Sequence, residues 1–266
     1  MSKTKTPPQP KVDLDTTRER LHRVGLLRAA DELDRLVSEA VQGSISPHRF
    51  LDQLLEEELG LREERRIRTS LKLSGLPTGQ TLAGFDFSFQ PSIERSRIET
   101  LATCQWIREN RTLLLQGPPG VGKSHLAAAL GVKAIEHGFG VVFYRLEELL
   151  SLMRRDADLT PARLRRKKYL NSSLLIIDEV GFEPMTRQEA SLFFRLVSHR
   201  YQRGSILITT NKGIKDWPEI LAGDEVLATA ILDRLLHNSY VLDIKGRSYR
   251  LRDLEHAVAL REGPGA

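Results

Sequence analysis

The sequence predicts an α/β fold, a parallel sheet flanked by helices, preceded by a small α-helical domain. Three observations predict it. From about residue 80 onward, short apolar runs alternate with helix-length segments. The stretch before it shows only helical periodicity. A glycine-rich loop joins the first predicted strand to the helix that follows it.

Residues 1–12 are polar and proline-rich and read as a disordered tail. Thr16-Thr17-Arg18-Glu19 is a capping-box pattern. Behind it Leu27, Ala30, Leu33, Val37 and Val41 recur at helical spacing up to Gly43. Ser46-Pro47 restarts a helix, with serine as N-cap and proline in the first turn, and Leu51, Leu54 and Leu55 give it an apolar face. Residues 13–78 are thus expected to form a helical N-terminal domain that meets a partner or DNA. It ends near Pro77-Thr78-Gly79, and residues 79–266 form the α/β domain.

In that second part Thr112–Gln116 reads as a buried strand and Ser124–His137 as a helix stopped by Gly138. Val141–Tyr144 is the next strand, followed by a helix from Leu146 that runs into a basic tract. Leu174–Ile177 is a third strand. Thr186-Arg187-Gln188-Glu189 caps a helix carrying Leu192, Phe193, Leu196 and Val197, and Ser205–Thr210 is a further strand.

With 266 residues, 40% hydrophobic and 28% charged, the chain can bury a sizeable core and is not disordered throughout. The single cysteine, Cys104, excludes an intramolecular disulfide and a cysteine-rich zinc site, and is expected to pack as a small hydrophobe. No apolar run approaches the ~20 residues of a membrane helix, and no h-region follows the N-terminal lysines, so a cytoplasmic location without membrane contact is expected. A net charge of +5 suggests a polyanionic partner. Its placement is more telling. Between Arg154 and Lys168 seven basic residues face two acids, a net of +5 in one stretch.

Gly117-Pro118-Pro119-Gly120-Val121-Gly122-Lys123-Ser124, with His125 after it, fits G-x-x-x-x-G-K-[ST]. Glycines let the backbone wrap close to phosphate, and the start of a helix adds its positive end. Lys123 can reach the β- and γ-phosphates and the Ser124 hydroxyl can ligate Mg²⁺, which points to ATP and Mg²⁺ as cofactors. Leu174-Leu175-Ile176-Ile177-Asp178-Glu179 supplies the complement. Asp178, at the carboxyl edge of the sheet, can hold the metal, and Glu179 can polarise the attacking water. Asn211, just past a strand end, can hydrogen-bond that water or the γ-phosphate, with a turn-forming asparagine as the alternative.

These residues resemble the AAA+ superfamily, and within it the IstB-like and DnaC-like ATPases. The likeness extends over roughly residues 15 to 255. Thr81-Leu82-Ala83-Gly84-Phe85-Asp86-Phe87, the phosphate loop, Ile176-Ile177-Asp178-Glu179-Val180-Gly181 and Thr209-Thr210-Asn211-Lys212 carry it. So do Ala230-Ile231-Leu232-Asp233-Arg234-Leu235 and Gly246-Arg247-Ser248-Tyr249-Arg250. The resemblance is strongest to the IstB-like helper ATPases encoded with insertion-sequence transposases.

The resemblance implies an ATPase with Lys123 and Ser124 as the Walker A pair, Asp178 and Glu179 as Walker B, and Asn211 as sensor 1. Arg234 stands where the family carries an arginine finger acting on the neighbouring subunit's ATP, which requires a homo-oligomer; an Asp233–Arg234 surface pair is the alternative. The basic tract stands where initiator-type relatives face DNA. Arg154, Arg155, Arg163, Arg165, Arg166, Lys167 and Lys168 would neutralise phosphates there, or form a solvated face. Phe85 and Phe87 pack against the sheet or stack on adenine. A full helical lid is not expected, and Arg247 and Arg250 are both open as sensor 2. The implied function is transposition help on target duplex DNA with a cognate transposase as partner. A helicase loader on single-stranded DNA, or an ATP-binding switch without turnover, is the competing possibility.

Overall fold

A computed structural model describes residues 13–249 and Leu251. The predicted tail at 1–12 and Arg250 lie outside the described residues. The chain divides into two compact units, up to Arg68 and from Thr69 on, and the division falls inside a helix.

In the first unit α1 (Leu14–Arg23), α2 (Leu27–Asp31) and α3 (Leu33–Gln42) precede α4 (Pro47–Ser74). The expected capping box at Thr16 is displaced. Asp13 is the N-cap, its carboxylate accepting from the Asp15 N–H and the Thr16 hydroxyl, so the helix starts earlier. The single helix expected through Val41 is interrupted at Gly25, whose φ is +78°, and again at Glu32. Ser46 does begin α4, its hydroxyl accepting from the Arg49 N–H. Ala29, Leu33, Leu36 and Leu54 form this unit's core, whereas Val41, Leu51 and Leu55 of the predicted apolar faces are exposed. Buried Glu58 accepts the Arg28 N–H at 2.9 Å, satisfying a donor in the first turn of α2, which has no side-chain cap of its own.

The second unit holds α5 (Arg95–Ala102), α6 (Gln105–Arg108), β1 (Thr112–Gln116), α7 (Lys123–Glu136), β2 (Val141–Arg145) and α8 (Leu146–Arg155). Then follow α9 (Pro161–Leu164), α10 (Lys168–Asn171), β3 (Leu174–Val180), α11 (Arg187–Arg200) and β4 (Ser205–Thr210). A 3₁₀ turn at Ile214–Asp216, α12 (Trp217–Ile220), α13 (Glu225–Leu236) and β5 (Ser239–Asp243) complete it. The capping box predicted at Thr186 is present.

The sheet is parallel throughout, in the order β2-β3-β4-β1-β5. β5 is the strand absent from the sequence-based expectation. It lies at an edge, and most of its residues are only half-buried, so it lacks the continuous apolar run that marks β1 and β3. On one face Leu175, Ile177, Ile206 and Ile208 pack with Leu149, Phe193, Leu196 and Ile231 from α8, α11 and α13. On the other, α7 crosses the sheet so closely that a Cβ on Gly131 would lie 2.8 Å from Ile176. Cys104 is buried, as expected, and burial pushes its thiol up to about 11.

At the amino-terminal end of the sheet the fully buried Arg200 donates to the carbonyls of Tyr169, Ser172 and Ser205. Burial pulls its guanidinium down to about 10. Three carbonyls at the mouths of β3 and β4 are thereby satisfied by one side chain.

Candidate nucleotide and phosphate sites

The phosphate loop leaves the carboxyl end of β1 and three of its glycines sit where no side chain fits. Gly117, Gly120 and Gly122 have φ of +149°, +83° and +96°. A Cβ there would lie 2.1 Å from the Ile244 carbonyl, 2.0 Å from the Ser248 hydroxyl and 2.7 Å from the Phe85 ring. The left-handed Gly122 caps α7, so the helix begins at Lys123 with its amino-terminal end turned to the loop. Pro118, Pro119 and Val121 complete the turn, and Val121 is buried beneath it. The Lys123 ammonium is held by the Gly117 and Pro118 carbonyls at 2.8 and 2.7 Å. His125 meets the Thr81 carbonyl at 2.9 Å.

Ser124 and Asp178 come together as expected. The Ser124 hydroxyl donates to Asp178 Oδ1 at 2.8 Å, and Asp178 is 4% exposed at the end of β3. A hydroxyl beside one carboxylate is a hard-oxygen donor set that suits Mg²⁺, which takes few protein ligands and completes its shell with phosphates and water. Among the described residues no larger cluster of metal-binding side chains exists.

Glu179 follows in a bulge. The β3–β4 register shifts between Ile177 and Val180, and Glu179 has φ +63°, which turns its carboxylate out of the sheet. Its Oε2 lies 3.6 Å from Arg145 Nε at the end of β2. Thr209 is the residue that motif reasoning missed. Its hydroxyl donates to Asp178 Oδ1 and accepts the Glu179 N–H at 3.0 Å, holding both acids through one buried group. The signal for it was a polar residue ending an otherwise apolar strand. Asn211 is exposed one residue beyond β4. Register pairs Gln116 with Thr210 and Val180 with Thr210, so Asn211 emerges between the phosphate loop and the β3 turn. Its Oδ1 would be 3.3 Å from a Cβ on Gly181.

Phe85 and Phe87 meet edge to face at 4.9 Å. Buried Phe85 packs under Gly122 and beside His125. With Gln80, Gln90, Tyr249 and residues 120–125 it lines a cavity of about 260 Å³. The Tyr249 N–H donates to the Gly120 carbonyl at 2.9 Å, so the segment after β5 closes on the loop. Arg247 there is exposed.

Arg234 lies elsewhere. It borders a second cavity with Thr112, Gly204 and Ile206, at the amino-terminal ends of β1 and β4. The phosphate loop lies a strand's length away, about 13 Å for a five-residue strand. The Arg234 guanidinium sits 4.9 Å from the Phe194 ring and donates to the Ala230 carbonyl at 2.6 Å. This chain's structure therefore does not bring it to its own nucleotide loop.

The basic tract is broken rather than one continuing helix. α8 ends at Arg155, and α9 and α10 are single turns. Arg155, Arg163, Arg165, Arg166 and Lys168 are exposed. Two of the seven expected phosphate contacts are otherwise engaged. Lys167 Nζ binds the buried Asp156 at 2.7 Å, and Arg154 lies 3.4 Å from Glu189. Asp156 also accepts from the Tyr169 hydroxyl, so the Lys167 ammonium neutralises a carboxylate buried under the tract. Among the described residues no helix is long and apolar enough to cross a membrane.

Against known proteins, residues 16–257 match the family model for the IstB-like ATP binding protein. The chain is similar to the ATP-binding protein of insertion sequence IS21 from Pseudomonas aeruginosa, at 42% identity over 90% of each chain. It is also similar to that of IS5376 from Geobacillus stearothermophilus, at 38% identity over 88% of this chain and 93% of that one. Among solved structures DnaI superposes with a TM-score of 0.52 at 18% identity, over 65% of this chain and 96% of DnaI. A DNA replication initiation factor gives 0.51 at 17% identity, over 71% and 56%. These two likenesses bear on the fold, which is AAA+.

Proposed function

The chain belongs to the IstB-like ATP-binding proteins and is an AAA+ ATPase using ATP and Mg²⁺, and we propose that it assists transposition by assembling on target duplex DNA and recruiting or activating a transposase. The observation that carries the proposal is the separation of Arg234 from the phosphate loop along the length of the strands. A cation at the amino end of one sheet reaches a γ-phosphate only if a second copy presents it, so hydrolysis is tied to assembly.

In the assembled site the loop N–H groups and Lys123 hold the β- and γ-phosphates. Ser124 and Asp178 would hold Mg²⁺, which would supply charge neutralisation at the phosphates. Glu179 takes up the proton of the attacking water, Asn211 orients that water, and Arg234 from the neighbour stabilises charge on the transferring phosphoryl group. The exposed arginines of the tract hold duplex phosphates without reading sequence. Residues 13–78 are assigned to the partner.

Mixing separates this from a self-contained site. Arg234→Ala should bind ATP normally and hydrolyse it 10³-fold or more slowly, on the order expected for a lost finger. Mixed with Glu179→Gln it should regain activity, because one orientation of the mixed interface pairs an intact site with an intact finger. Confirmed mixing without recovery defeats action in trans. A parent chain that prefers single-stranded to duplex DNA would favour helicase loading instead.

A further inference from the structure

The phosphate end of the 260 Å³ cavity is defined by Gly120–Ser124 and the start of α7. A triphosphate seated there leaves its base for the remaining wall, made by Gln80, Phe85, Gln90 and Tyr249. Two buried acceptors on that wall, the Oε1 atoms of Gln80 and Gln90, have no hydrogen-bond partner. A buried carboxamide oxygen left unpaired is destabilising, which marks a place where a donor belongs.

The two glutamines differ in freedom. Gln90 donates from Nε2 to the Arg247 carbonyl at 2.9 Å, and its Oε1 lies against Gly246, where a Cβ would approach to 2.4 Å. That amide ties the 246–249 segment across the cavity and is fixed by doing so. The carboxamide of Gln80 makes no hydrogen bond among the described residues and projects from the loop that precedes Phe85.

We propose that Gln80 is the base-reading residue of this ATPase, its carboxamide accepting a hydrogen bond from the exocyclic amine of adenine. Glutamine suits this edge, because one carboxamide can meet both the amine and an adjacent ring nitrogen of adenine. Phe85 supplies the apolar wall beside it, and Lys123 and Ser124 remain indifferent to the base. The assignment concerns nucleotide choice and is independent of DNA binding or transposase contact.

Displacement of a fluorescent nucleotide by ATP and by purine riboside triphosphate, which lacks the amine, tests it by affinity without reference to turnover. The parent should prefer ATP roughly three- to tenfold, the range of one neutral hydrogen bond. Q80M, which lacks the acceptor at similar volume, should bind the two within about twofold of each other, with ATP losing the more affinity. Q80E keeps an acceptor in place and should keep the preference, whatever it does to both affinities together. Circular dichroism checks folding, and Q80A replaces Q80M should that chain unfold. Equal binding by the parent, a retained preference in Q80M, or a lost preference in Q80E each overturns the proposal.

Discussion

Two regions of this molecule present cationic or N–H-rich surface suited to phosphate, and they are built in opposite ways. At the carboxyl edge of the sheet, glycines at positive φ, a buried Asp178 and a bulged Glu179 set each group in a defined place. In the tract from Arg154 to Lys168 the backbone is one helix end and two single turns, and most of the charges stand in solvent. The difference follows from the task proposed for each. Phosphoryl transfer depends on position, because the stabilised charge exists only in one geometry. Sequence-independent DNA binding depends on charge density, because counterion release is indifferent to which phosphate is met.

That contrast can be broken most severely at Glu179. Glu179→Gln should keep nucleotide affinity and lower turnover by about 10²–10⁴, the usual worth of a positioned base. Lys123→Ala should instead lose tight ATP binding itself. Equilibrium binding measured beside turnover for both variants checks the division, and normal hydrolysis by Glu179→Gln would remove the base from that position.

A subtler probe of positional precision is Thr209→Val, which preserves shape and removes one hydroxyl. Asp178 then loses a donor and the Glu179 N–H loses its acceptor. Turnover in Mg²⁺ should fall roughly ten- to hundredfold, as for other supporting groups around a metal. Parental turnover would show that the acids hold themselves.

The tract should respond additively and weakly. Arg165→Ala with Arg166→Ala should flatten log K against log[salt] by up to about 1.8, at about 0.9 per phosphate contact, on unrelated duplexes alike. ATP hydrolysis without DNA should be unaffected. Lys167→Ala sharpens the comparison, because its ammonium faces Asp156 and not solvent alone. It should lower unfolding free energy by about 1–3 kcal/mol, less than for a fully buried pair since the lysine is one-third exposed. Its salt slope should change by well under one unit. Urea unfolding and salt-dependent binding of the two variants separate the buried-pair lysine from the solvent-facing arginines.

The nucleotide loop, the strands β1, β3 and β4, and the capping box at Thr186 were legible in the residues alone. Each rests on a contact or preference within a few positions of chain, such as a glycine at positive φ, a run of fully buried aliphatics, or a hydroxyl and a glutamate three apart. The family resemblance likewise rests on such local strings. Tertiary structure decided the rest. Thr209 matters only because β4 lies beside β3, and Arg145 only because β2 ends level with Asp178. The half-exposed β5 is a strand because β1 offers it an edge, in register from Thr112 with Ser239. Lys167 looked like one more DNA contact until Asp156, eleven residues earlier, was found buried against it. A helix end or a phosphate loop is dictated by its own backbone. The partner of a charge is chosen by which elements the sheet sets side by side, and that order, β2-β3-β4-β1-β5, follows from packing rather than from any one stretch of sequence.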